Sequence, residues 1–191
     1  MHMLICAIVY AKDEKGAFEK ATEIFDKFVG TDENPGMFDY YTTFDDKTSQ
    51  VSGPVRWGNL PAVARAGSPE GKKLIDEGMN VTWDEFKRNM EKVRKAVELF
   101  TDEELFEERV DKEKEVAIEL GGGWEEGRFI LGMARHYMYR AGQYGGPSVF
   151  LYDNDGEGIR SRRHLANVLN KWSSKEYKKL DVFVVPADVH Y

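Results

Sequence analysis

An unbroken apolar run stands near each end of this 191-residue chain: LICAIVY at positions 4–10, and SVFLY at 148–152, with the β-rich LDVFVVPADVHY closing it at 180–191. A run without polar alternation reads as a strand covered on both faces. Each of the first two runs leads into a helical pattern. GAFEKATEIFDKFVG places Phe18, Ala21, Ile24 or Phe25, and Phe28 on one stripe and stops at Gly30; IRSRRHLANVLNKW does the same with Leu165, Val168 or Leu169, and Trp172. After the first helix, MFDYYTTFDD alternates as a half-exposed strand, with Phe38, Tyr40, Thr42 and Phe44 on one side. Pro186 in the last run has no amide hydrogen and predicts a sheet edge or a bulge.

Two β-α-β halves, each with a buried first strand and an edge-like second strand, predict an α+β fold, the ferredoxin-like sandwich. Its strand order is 4-1-3-2, the first and third strands are central and parallel, and both helices lie on one face. The expected division is 1–51 for the first half, 52–146 for a mainly helical insertion and 147–191 for the second half, all in one composite domain. Within the insertion, Thr82 with Glu85 and Thr101 with Glu104 each have the spacing of a capping box. The first would open a helix with Phe86, Met90, Val93, Val97 and Phe100 inward. WEEGRFILGMARHYMYRAG reads as a further helix, with Arg135 and Tyr139 on its outer stripe.

Charge narrows the function classes. The formal net charge of −7 argues against nucleic acid or an anionic membrane as the general partner, since those surfaces draw on an excess of Lys and Arg. No apolar run reaches the length of a membrane span. MLICAIVYA lacks the basic flank and small-residue cleavage site of a signal peptide, and Cys6 is the only cysteine, so the expected location is the reducing cytoplasm.

The segment YDNDGEG, 152–158, is the most chemically suggestive stretch. Asp153, Asp155 and Glu157 alternate and Gly158 follows, as in the opening of a calcium loop, but the twelfth position is His164 where a bidentate Glu is needed. A weaker magnesium site needs only one or two carboxylates and water; the alternative is a polar strand-to-helix turn, for which Asp, Asn and Gly are the preferred residues and in which a carboxylate caps the helix. In the expected sheet Lys12 and Asp13, at the end of the first strand, would stand near Asp153 and Asp155 at the end of the third, where ligands of α/β proteins commonly bind. Arg160, Arg162 and Arg163 then follow at a helix start, where a small anion can be held. The aromatic strand with Tyr40 and Tyr41, together with Trp57, reads as a face for a protein partner or for homo-oligomer formation. His2 and His190 lie near the ends, His136 and His164 lie on different helices, and no zinc signature, phosphate loop or nucleophile elbow occurs.

The stretch Asp153, Asp155, Glu157, Gly158 resembles the second acidic motif of the Toprim domain of primases and type IA topoisomerases, a strand followed by an acidic turn and a helix. Toprim proteins also carry a Glu at the end of an earlier strand, and KEVAIELGGG offers Glu119. The resemblance implies that Glu119 acts in acid/base chemistry while the two aspartates hold magnesium for work on a phosphodiester. The residues otherwise carry no complete catalytic set. The reading is therefore a non-enzymatic protein that binds a partner or a small anionic ligand without a cofactor, with magnesium-dependent phosphoryl transfer or nucleic-acid processing as the alternative.

Overall fold

The computed structural model of the protein describes residues 1–107, 131–142, 148–171 and 175–191. The chain forms two compact units, Met1–Trp83 with Tyr144–Tyr191, and Asp84–Gln143.

The first unit is built on a mixed five-stranded sheet. β1 (His2–Ala11) and β5 (Asp181–His190) pair antiparallel along their full ten-residue length, from His2 opposite His190 to Ala11 opposite Asp181. On the other side of β1, the two-residue β4 (Leu151–Tyr152) pairs parallel, Cys6 opposite Leu151. The outer side of β5 is shared by β2 (Tyr40–Thr43) and the short β3 (Ala64–Arg65), both antiparallel to it. The order is β2-β5-β1-β4, so the expected 4-1-3-2 arrangement is corrected. The parallel contact between the first and third main strands is present, but β4 is an edge and β5 is internal. Length explains the change. A two-residue β4 offers too short an edge to hold another strand, while ten-residue β5 has room for two.

Pro186 is accommodated inside the sheet by that sharing. Cys6 donates its amide to Phe150 O (2.8 Å), toward β4, so the Cys6–Pro186 pair is a non-hydrogen-bonded one. The proline nitrogen therefore faces the opposite side, where β3 ends at Val184 and β2 begins at Ala187. No ladder donor is required there.

The helices also depart from the expected single layer. α1 (Glu14–Val29) buries Ala17, Ala21, Ile24, Phe25 and Phe28 against the odd-numbered face of β1, with Ile5, Ala7 and Val9. α6 (Arg162–Leu169) buries Leu165 and Val168 on the even-numbered face with Cys6, Ile8 and Tyr10, beside Leu74, Ile75 and Met79 of α3 (Pro69–Leu99). Both parities of LICAIVY are apolar, so both faces need cover, and a single helical layer could not supply it. The short α2 (Pro54–Trp57) precedes β3.

The second unit contains the rest of α3, α4 (Asp102–Glu107) and α5 (Leu131–Gly142). Thr82 does not open a helix: it lies inside α3 and its Oγ1 donates to Gly78 O at 2.8 Å. The inward stripe of this part is Glu85, Asn89, Lys92, Ala96 and Phe100, whereas Phe86, Met90 and Val93 are half-buried and Val97 is exposed. The second capping box forms as expected, with Thr101 N donating to Glu104 Oε2 (2.8 Å) and Glu104 N to Thr101 Oγ1 (3.2 Å). Ala134 and Tyr137 of α5 pack with Ala96 and Phe100, and Arg135 and Tyr139 face outward.

Candidate functional site at the strand ends

β4 stops at Tyr152 while β1 continues to Ala11, which leaves Tyr10 without a strand neighbour on the β4 side. Two side chains take the place of the missing strand. Asn154 Oδ1 accepts from Tyr10 N at 3.0 Å, and Lys20 Nζ of α1 donates to Tyr10 O at 3.0 Å and reaches Asn154 Oδ1 at 3.5 Å. The buried Tyr10 ring is fixed by its hydroxyl, which donates to Val168 O (2.9 Å). Lys20 is thus a half-buried ammonium held by neutral oxygens, with the Tyr177 ring 5.9 Å away. Among the described residues no carboxylate lies within ion-pair distance of it.

Two clefts open around Tyr10. One, of about 390 Å³, lies between the end of β1 and the start of α1 and is lined by Lys12, Asp13, Lys15, Glu19, Lys20 and Leu180. The other, of about 420 Å³, lies between the acidic turn and α6 and is lined by Asp153, Asn154, Asp155, His164, Asn167 and Val168. The expected neighbours of the two strand ends therefore line clefts that share one residue.

Asp13, Glu19 and Asp153 of these clefts have defined partners. Asp13 is the N-cap of α1, accepting from Gly16 N at 2.8 Å, and Glu19 pairs with Lys15 at 3.8 Å. Asp153 Oδ1 accepts from the amides of Asp155 (3.0 Å) and Glu157 (2.9 Å), while its Oδ2 faces His164 Nε2 at 3.4 Å. The chain reverses through Gly156 at φ 84°, and Asp153 N returns to Glu157 O (2.9 Å). Asp155 and Glu157 are exposed. Among the described residues, no three of His, Cys, Asp and Glu come together in a way that could hold a metal ion. Glu119, the residue drawn in by the Toprim resemblance, lies outside the described residues.

Three arginines expected at an anion site do not line either cleft. Ser161 caps α6 by accepting from His164 N at 3.0 Å; Arg162 and Arg163 are exposed on its first turn, Arg162 reaching Asn80 Oδ1 at 3.3 Å, and Arg160 is half-buried ahead of it. Of the aromatic face, Tyr40 and Trp57 are exposed, with Val51 and Val55 exposed nearby in sequence. Tyr41 instead turns toward α1, stacking at an angle on Phe25 and donating to Asp26 Oδ1 at 2.7 Å; burial first, and then that carboxylate, push its ionisation upward.

Residues 1–123 and 129–191 match the family described as Domain of unknown function (DUF7995). The chain belongs to that family. No curated protein and no solved structure matches it. Among the described residues no helix is long and apolar enough to cross a membrane.

Lys20 and Asn154 were not singled out by the motif. Their roles depend on where a two-residue strand stops, which apolar patterning does not encode. One signal was available: Gly16, Ala17 and Ala21 are small residues on the first turns of α1, and small residues let a helix approach a strand end closely enough for a lysine beside them to reach its carbonyls.

Proposed function

We propose that this protein is a non-enzymatic binding protein that takes a small anionic ligand in the cleft between β1 and α1. The observation that supports it most is Lys20, a half-buried ammonium whose hydrogen-bond partners among the described residues are neutral oxygens. Lys12 lines the same cleft, and the carboxylates there, Asp13 and Glu19, are engaged by Gly16 N and Lys15. An oxyanion entering the cleft would supply the negative charge that these two ammonium groups lack. The acidic turn serves this reading as scaffold: Asp153 organises the loop that carries Asn154 to Tyr10.

The test is thermal unfolding against inorganic phosphate and a panel of small phosphorylated and carboxylated compounds. A ligand present at 100 times its Kd stabilises the fold by about 2.7 kcal/mol, and Lys12→Ala and Lys20→Met should each remove most of that gain. If no anion raises the melting temperature, or the gain survives both substitutions, the reading fails. Stabilisation by magnesium that is lost with Asp155→Asn would support phosphoryl-transfer chemistry instead. The exposed Tyr40 and Trp57 are the surface we assign to a protein partner or a second copy; light scattering of Tyr40→Ser with Trp57→Ser would detect loss of self-association.

A further inference from the structure

The pairing of β1 with β5 and of β5 with β2 sets three residues in one row across the sheet: His2 opposite His190, and His190 opposite Tyr40. Directly opposed residues project to the same face. The ring centres of His2 and His190 are 4.9 Å apart, and Tyr40 stacks on His190 at 5.0 Å. Each imidazole is held at Nδ1 by a carboxylate. Asp188, fully buried, lies 3.0 Å from His2 Nδ1, and Asp39 lies 2.8 Å from His190 Nδ1. Asp188 is itself fixed by the amide of Gly53 at 2.8 Å.

A histidine whose Nδ1 is tied to a carboxylate has its tautomer and ring orientation set, and its Nε2 is left as the basic nitrogen. That pairing is the usual support of a metal-ligating imidazole. The geometry points to a site for a divalent transition ion, zinc, nickel or copper, with His2 Nε2 and His190 Nε2 as the protein nitrogens and Tyr40 Oη or water as a third ligand. With metal–nitrogen bonds of about 2.0 Å, two imidazoles on one tetrahedral ion have ring centres roughly 5 Å apart, as His2 and His190 do. Tyr40 Oη lies 3.4 Å from His2 Nε2, close to the ~3.3 Å edge of the same tetrahedron. His190 Nε2 lies 3.1 Å from the Met1 nitrogen, a contact the ion would replace. Imidazole with phenol or water suits zinc, copper and nickel over the hard ions magnesium and calcium, which favour carboxylate oxygens. The site is separate from the strand-end clefts: it stands at the opposite end of β1 from Tyr10.

The experiment is calorimetric titration of the untagged protein with zinc and with nickel at neutral pH, together with electron paramagnetic resonance of the copper-loaded protein. One ion per chain and a spectrum with two coordinated nitrogens are expected. His190→Ala should weaken binding at least tenfold, Asp188→Asn roughly 10–100-fold through the released His2 ring, and His136→Ala and His164→Ala should leave it unchanged. Circular dichroism of His190→Ala checks that the sheet persists; should it not, Tyr40→Phe and the wild-type copper spectrum decide. The inference is overturned if no ion binds, if binding survives with His2 and His190 both replaced, or if the copper spectrum shows fewer than two nitrogens.

Discussion

Helix α3 crosses β4 at a single glycine: a Cβ placed on Gly78 would lie 2.5 Å from Leu151 Cδ2 and 2.9 Å from its Cγ. Leu151 is fully buried on β4, next to Cys6 in the ladder. The contact therefore sets how closely the helix layer approaches the sheet edge that leads into the acidic turn. Gly78→Ala gains about 1 kcal/mol of helix propensity and loses about 1–3 kcal/mol by overpacking, for a net loss in urea unfolding. The same substitution in a Leu151→Ala background should be neutral or stabilising. Equal effects in both backgrounds would show that the two residues are not coupled.

Replacing Asp153 tests the acidic turn as scaffold. Asp153→Ala removes the acceptor of two amides and should destabilise by about 2 kcal/mol, in the range for hydrogen bonds to a charged group. Asp153→Asn keeps an acceptor oxygen and should cost less. Gly156→Ala should cost about 1 kcal/mol for its positive φ alone, because the added methyl would meet Ile24 and Phe28 only at 3.5 Å. A cost for Asp153→Asn equal to that of Asp153→Ala would show that charge, rather than the turn bonds, matters.

The elements most legible in the sequence were those decided locally. The stripe Ala21, Ile24, Phe25 and Phe28 of α1, the Thr101–Glu104 box and the Leu165 and Val168 stripe of α6 depend on neighbours within a few residues. Strand order depended on which edge was long enough to accept β2, and the sequence does not show that β4 is only two residues long. Thr82 and Glu85 have capping-box spacing, but Pro69 had already begun the helix, so the threonine bonds back to Gly78 O. Glu85, Asn89 and Lys92 break the rule that polar residues face out, and for that reason Phe86, Met90 and Val93 drew the inward stripe one position off. His2 and His190 come together only through the full-length register of β1 and β5.

Cys6 gives a pH prediction with a definite sign. Burial, and secondarily the charge of Glu77, raise its thiol from 9.0 to about 12. The unfolded chain releases that proton near the lower value and the fold near the higher one. The contribution is therefore intact below about pH 9 and is lost as pH rises toward 12. Between pH 8 and pH 10 the wild type should lose about 1 kcal/mol more stability than Cys6→Ala. In the folded protein at pH 8 the thiol should react with a disulfide reagent only at the rate of unfolding. Fast labelling of the native state would contradict the burial argument.

Glu85 holds the second unit's polar interior together, and its removal should be the most damaging single change there. It is 8% exposed, accepts from Arg140 Nη2 at 2.6 Å and from Asn89 Nδ2 at 2.9 Å, and pairs with Arg88 at 3.0 Å. Buried Lys92 lies over the Tyr137 ring at 4.2 Å, its ionisation lowered first by desolvation and then by Arg88, with Glu85 opposing the shift. Glu85→Gln keeps the shape and removes the charge that offsets these cations. Breaking a buried pair in this way costs about 3–5 kcal/mol, and the partial exposure of Arg140 places the expected loss near the lower end. Lys92 should then titrate lower still, observable by NMR of its side-chain nitrogen. Arg140→Met should cost less than Glu85→Gln, since it removes one of several cations rather than the anion they share; the reverse order would mean that the Arg140 pair alone, rather than the shared carboxylate, organises the cluster.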